Sequence, residues 1–314
     1  MEANLKNPRI VSLLASSTEI VCELGFEKNL VGISHECDFP ESIRHLTVCT
    51  APKFNAHASS QEIDTSVRNL VEKGLSVYKT DGELLDSLQP DFIITQSQCE
   101  VCAVSFKEVE AAVCQMISSR PYIINLEPNA FADIFSDIQK TADALQVSQK
   151  GKTLIESYQK RLNFIEKGTE SIQNKPTVAT IEWISPLMFA ANWIPEMIEK
   201  AGGINLLGNA GEHSHYFQWD ELLAQDPDIM LVMCCGFDIK RTFEELDLLT
   251  ALPDFNHLKA VRNQQFYVTD GNAYFNRPGP RIIDAVEILA EIFHPTLFPK
   301  KYANAYTNQL FEVI

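Results

Sequence analysis

The chain of 314 residues has few cations, few glycines and no long apolar run, and each shortage excludes something. Lys and Arg total 26 against 42 Asp and Glu, a formal net charge of -16. Phosphate backbones call for a cationic surface, so nucleic acid is not an expected partner. Thirteen glycines and 15 prolines beside 45% hydrophobic residues exclude collagen-like and disordered chains and leave material for two cores. No stretch approaches the roughly 18 to 20 consecutive apolar residues of a membrane span. In the opening MEANLKNPRIVSLLASSTEIVCELGF a charge breaks every apolar run short of leader length, with Glu19 and Glu23 on the apolar segment itself. On this reading the chain as given is cytoplasmic, and periplasmic if a leader preceded it. A Gly-x-Gly-x-x-Gly after the first strand, a Gly-x-x-x-x-Gly-Lys loop and a Gly-x-Ser-x-Gly elbow are all missing. No catalytic set is organised, and the chain is not expected to be an enzyme. Eight cysteines are too few for a disulfide scaffold of this length.

What is present is an alternation of short apolar runs with amphipathic stretches, the pattern of βα units and parallel sheet. Strands are expected at 9–12, 30–33, 74–78, 92–95 and 122–125, and helices at 17–24, capped by the Ser16, Ser17 and Thr18 cluster, at 83–88 and at 106–116. Apolar positions then recur at helical spacing over 130–168, which predicts one long helix whose only place for a break is 146–152. The alternation restarts with strands at 177–181, 229–233 and 265–268 and helices at 194–201 and 281–293. The expected fold is α/β: two Rossmann-like lobes with central parallel sheets, 1–129 and 173–314, joined by a single long α-helix over 130–172.

In parallel sheets the loops after the strands emerge on one face, and ligands bind there. Four such loops are rich in chemistry: Ser34 to Pro40, Gln96 to Cys102, Cys234 to Asp238 and Asp270 to Arg281. They carry His35, Cys37, Cys99, Cys102 and Cys234, ligand types for zinc or another soft metal. Cys99-x-x-Cys102 at a helix start also suits a redox disulfide, and buried inert thiols fit as well; the three readings stay open. Trp193, Phe217, Tyr274 and Phe275 are candidate apolar walls of a ligand site, although core positions account for aromatics equally. His215 is a candidate ligand or stacking surface, and Arg277 a polar anchor for a carboxylate or phosphate. The alternative to a plain binding cleft is a cytoplasmic protein that holds a metal or a thiol-reactive ligand on the cysteine and histidine cluster.

RIVSLLASSTEIVCELGFEKNLVGIS, LLDSLQPDFIITQ, WIPEMIEKAGGINLLG, WDELLAQDPDIMLVM and FYVTDGNAYFNRPGPR together resemble the substrate-binding proteins of iron-siderophore and vitamin B12 ABC importers, closest to the cobalamin-binding branch. The resemblance covers nearly the whole chain. It implies the class III periplasmic-binding-protein fold and a non-catalytic monomer. It also implies that the lobes hold a corrinoid, cobalamin-like, or another metal chelate between them. Docking to an ABC permease is implied through one acid on each lobe, at Glu83 and at Asp220 or Glu221. Where the B12 binders carry an aromatic, glycine-rich loop after the fourth strand, this chain reads Gln96-Ser-Gln-Cys-Glu-Val-Cys102.

Overall fold

The computed structural model describes residues 7–73, 76–97, 119–302 and 304–308. Among them two compact units separate. Unit 1 runs from the amino-terminal strand to Glu156, and unit 2 holds Ser157 onward together with the short segments Ser59–Gln61 and Asn129–Phe131.

In unit 1, β1 (Ile10–Ser12) leads into α1 (Ala15–Glu23), followed by β2 (Leu30–Ile33), β3 (Thr47–Val48) and β4 (Thr50–Pro52). Then come α2 (Ser60–Glu72), β5 (Tyr78–Thr80), α3 (Gly82–Leu88), β6 (Phe92–Gln96), β7 (Tyr122–Leu126), α4 (Phe131–Ala144) and α5 (Ser148–Thr169). Strands β3-β2-β1-β6-β7 form a parallel sheet in that order, and β4 and β5 pair antiparallel as a separate ribbon. Every residue of the FIITQ strand β6 is buried, as a continuous apolar run between two neighbours requires. The chain winds outward from β1 first through β2 and then through β6, so the order reverses between β1 and β6, where α/β sheets take ligands. Gly32 in β2 fits because a Cβ there would lie 2.7 Å from Cys49 Sγ and 2.8 Å from Leu88 Cδ1.

One expectation for this unit is corrected. Helix α1 starts at Ala15, with Leu14 as N-cap and no side-chain cap, since the Ser17 and Thr18 hydroxyls turn inward to Leu14 O and Ser12 Oγ. The helical stretch expected over 130–168 breaks at the place expected for a break: Gln146 takes a left-handed φ of 58° and Val147 N–H closes back on Ala142 O at 2.8 Å, ending α4. Apolar spacing runs on through the buried Leu145, so periodicity alone does not show the stop. The boundary between the units falls inside α5.

Unit 2 contains β8 (Thr177–Trp183), β9 (Met188–Phe189), α6 (Ile194–Lys200), β10 (Ile204–Asn205), β11 (His215–Tyr216), α7 (Trp219–Gln225) and β12 (Ile229–Val232). It continues with α8 (Ile239–Phe243), α9 (Leu246–Thr250), α10 (Lys259–Arg262), β13 (Phe266–Thr269), α11 (Ile282–Phe293) and β14 (Tyr306–Thr307). Strands β10, β8, β12 and β13 run parallel, while β9, β11 and β14 add antiparallel edges. Helix α11 closes the core with Ile282, Ile283, Val286 and Leu289 fully buried. The helix expected at 106–116 lies outside the described residues.

Candidate functional site

The best-defined polar constellation of unit 1 stands at the carboxyl end of β2. His35 N–H donates to Thr50 Oγ1 at 3.0 Å, and His35 Nδ1 lies 2.7 Å from the same oxygen. Thr50 Oγ1 donates its one hydrogen to Ser34 Oγ at 3.1 Å, so toward His35 it is an acceptor and Nδ1 carries the proton. Nε2 is left with its lone pair, 4.0 Å from Glu36 Oε1. Burial lowers the pKa of His35 and favours the neutral ring. The ring packs 5.2 Å from that of Tyr78, whose hydroxyl donates to Glu36 Oε1 at 3.1 Å. A neutral imidazole, oriented through one nitrogen and 23% exposed, is the form that accepts a metal. Four residues on, Phe39 shows 44% of its surface, the one large apolar exposure in this loop.

Cys37, in the same loop, does not join it. Cys37 is buried with its sulfur 3.1 Å from Thr18 Oγ1, and burial pushes the Cys234 thiol far up, away from the thiolate a metal needs. Among the described residues no group of three or more His, Cys, Asp or Glu is placed to hold a metal ion. Cys37 and Cys234 are packed thiols here, and Cys99 and Cys102, expected with them as metal ligands, lie outside the described residues.

In unit 2 the loops after β12 and β13 touch at Gly271, where a Cβ would fall 2.2 Å from Cys234 O. One turn of π-helix, Gly271–Phe275, folds the second loop back onto the sheet. Three of the expected ligand walls lie in the interior. Phe275 is fully buried, Trp193 is buried with Nε1 donating to Phe275 O at 2.8 Å, and Phe217 is buried with its ring 5.2 Å from that of Phe189. All three are core. Arg277 is only 6% exposed and donates to Asn272 Oδ1 at 2.9 Å, so its guanidinium holds the loop rather than offering itself as an anchor. Tyr274 is half-buried under the Arg281 guanidinium, 5.5 Å from its ring centre, and His215 is exposed, edge-on to Phe189 at 4.4 Å.

Sequence reasoning passed over Glu182, which stands here beside an aromatic pair. Trp183 and Phe237 pack at 5.1 Å, with the Arg241 guanidinium 4.2 Å above Phe237. Glu182, at the end of β8, has its carboxyl pushed up to about 7 by burial against the hydrogen bond from Ser214 Oγ. A charged residue at the end of an apolar strand was the available signal. Of the expected docking acids, Glu83 stands exposed in the first turn of α3 and Asp220 in that of α7. The Glu221 carboxylate caps Gln218 N–H at 2.8 Å, which leaves Asp220 as the candidate of the two.

An ABC transporter substrate-binding lipoprotein, YvrC of Bacillus subtilis (strain 168), itself uncharacterized, is 23% identical over 299 residues, 93% of this chain and 82% of the relative. The vitamin B12-binding protein of Vibrio vulnificus (strain CMCP6) is 22% identical over 289 residues, 91% of this chain and 89% of its own. Among solved structures, the periplasmic heme-binding protein RhuT from Roseiflexus sp. RS-1 in apo form superposes with a TM-score of 0.68 at 20% identity, covering 92% of this chain and 98% of that one. No helix among the described residues is long and apolar enough to cross a membrane. The cytoplasmic location expected from the opening residues finds no support in these likenesses. The family model described as periplasmic binding protein matches residues 10–273, most of the length, and the chain belongs to that family.

Proposed function

We propose that this protein is a non-catalytic binding protein of an ABC importer and that it holds a planar metal chelate, a corrinoid or a porphyrin, at the carboxyl end of the unit 1 sheet. His35 Nε2 takes an axial position on the chelated metal. The observation that carries this is the Thr50 hydroxyl, which engages Nδ1 and leaves Nε2 its lone pair on a ring that is 23% exposed. A bare zinc ion calls for about four ligands. A lone imidazole suits a metal whose macrocycle already fills the other positions. The names of the relatives, vitamin B12-binding and heme-binding, point to the same chemistry. Phe39 supplies apolar surface beside the imidazole, and Glu83 and Asp220 are the acids through which a permease is engaged.

Hydroxocobalamin and iron(III) protoporphyrin IX, added separately, test this. One of them is expected to shift its visible spectrum and to raise the melting temperature by mass action, with the spectral shift lost in His35→Ala. No spectral or thermal change at an excess of either chelate overturns the reading.

A further inference from the structure

The imidazole of His35 has a charged neighbour. Glu36 Oε1 stands 4.0 Å from His35 Nε2, too far for a hydrogen bond and near enough for its charge to be felt at whatever the nitrogen holds. The carboxylate is held there from the β4–β5 ribbon. Tyr78, buried in β5, donates its hydroxyl to the same Oε1 at 3.1 Å, while its ring packs 5.2 Å from the imidazole and 6.1 Å from Phe54. Glu36 N–H donates to Ser34 Oγ at 3.3 Å, the oxygen that also takes the Thr50 hydrogen. One ribbon therefore orients the imidazole through Thr50 and the carboxylate through Tyr78.

A nitrogen ligand sits about 2.0 to 2.1 Å from its metal, so a metal on Nε2 lies within about 6 Å of Glu36 Oε1. Charge decides what that neighbour does. A porphyrin ring supplies two negative charges and a corrin ring one, so an iron(III) or cobalt(III) core stays positive. The core of a zinc(II) porphyrin or a cobalt(II) corrin carries one positive charge fewer. A neutral imidazole offsets none of this charge, and the carboxylate beside it does.

We propose that Glu36, held by Tyr78, makes the site selective for the chelate of a trivalent metal by setting a negative charge beside a positive core. The proposal rests on the chelate-binding reading and narrows it by metal charge, whichever ring the site takes. Opposite unit charges about 6 Å apart attract by an amount worth about threefold in affinity at the dielectric of water and about a hundredfold at that of a protein surface. For a carboxylate whose side chain is 39% exposed, about tenfold per unit of metal charge lies between these limits.

Absorbance titrations of the wild type, Glu36→Gln and Tyr78→Phe test it. The probes are iron(III) against zinc(II) protoporphyrin IX and hydroxocobalamin against cob(II)alamin, pairs that share a ring and differ by one unit of metal charge. In whichever pair the wild type binds, Glu36→Gln is expected to weaken the trivalent member about tenfold more than its divalent partner. Tyr78→Phe keeps the ring against His35 and removes the hydroxyl that holds the carboxylate, so it is expected to cost the trivalent member about threefold more than the divalent one. A loss that is equal for both members of the pair, or no loss, overturns the proposal while the chelate reading stands. No spectral change with any of the four probes overturns the chelate reading itself. Should Glu36→Gln fail to fold, the trivalent-to-divalent ratio in Tyr78→Phe decides, with an unchanged ratio overturning the proposal.

Discussion

Thr50 Oγ1 lies 2.7 Å from His35 Nδ1, and because its own hydrogen goes to Ser34 it can only accept from the ring. A residue of the β4–β5 ribbon thus decides which nitrogen of a histidine in the β2 loop is left for a ligand. Thr50→Val keeps the shape of the side chain and removes the acceptor. The expected result is a loss of chelate affinity of about tenfold or more, the usual effect of removing the group that orients a metal-binding histidine. The melting temperature should fall as well, because His35 N–H and Ser34 Oγ lose a buried partner. Absorbance titration and a thermal melt of the same sample check both.

The same ring gives a pH dependence. Burial lowers the pKa of His35 from the ordinary 6.5, so the folded protein binds fewer protons than the unfolded chain just below that value. This group's contribution to stability is therefore full above pH 6.5 and is lost as pH falls through 6.5 toward the lowered pKa. Axial coordination depends on the neutral ring and should persist below pH 6.5 before it fails. A spectral pH titration of the bound chelate, with midpoint below 6.5, is the expected outcome; a midpoint above 6.5 contradicts the burial argument.

How much of this was legible beforehand can be judged residue by residue. The parallel sheets, β6 and α11 above all, follow from apolar runs and helical spacing, because burial on both faces leaves a continuous signature. His35 was visible as a histidine just past a strand. Its partners were not: Thr50 lies on a three-residue strand too short for periodicity to register, and Tyr78, expected to end a strand over 74–78, opens a three-residue strand instead. The burial of the expected aromatic walls was not legible for the opposite reason. Phe275 does follow a strand, but a loop can fold back on its sheet, and Gly271 lets this one do so. Composition cannot tell a loop that faces solvent from one that packs inward.

Gly271→Ala tests that fold-back. The added Cβ would sit 2.2 Å from Cys234 O, a backbone atom that cannot swing aside, so the two loops must separate. A loss of about 2 to 3 kcal/mol is expected, in the range for overpacking in a dense interior. Urea unfolding with an unchanged m-value checks it.

Arg161 joins α5 to α11 within unit 2. Its Nε donates to Glu287 Oε1 at 2.8 Å and its Nη2 to Asp284 Oδ1 at 2.5 Å, and Tyr302 and Lys301 complete the group around Glu287. Burial alone would raise Glu287, but the hydrogen bonds from Arg161, Tyr302 and Lys301 hold it at about 2. Because the folded pKa is depressed, the stabilisation is complete above the ordinary carboxylate value of 4.5 and is lost as pH falls toward 2. Arg161→Met keeps the aliphatic packing and removes the charge. About 2 kcal/mol of destabilisation at pH 7 is expected, discounted for solvent at the half-exposed guanidinium, and the deficit should shrink as pH falls below 4.5.

Glu182 obeys the opposite sign. Its carboxyl is raised to about 7, so between 4.5 and 7 the folded protein holds a proton that the unfolded chain has released. Whatever stability the protonated group confers is present below pH 4.5 and drains away as pH rises through 7. Glu182→Gln presents a permanently neutral side chain of nearly the same shape, and its amide oxygen can still accept from Ser214, whose Oγ in turn receives Ala191 N–H at 3.1 Å. The variant and the wild type should therefore melt alike at pH 4.5, and the variant should melt several degrees higher at pH 8, where the wild type must either bury a carboxylate or open the contact with Ser214. A variant that is equally destabilised at both values would mean that the carboxyl geometry, and not its burial, sets the environment at the end of β8.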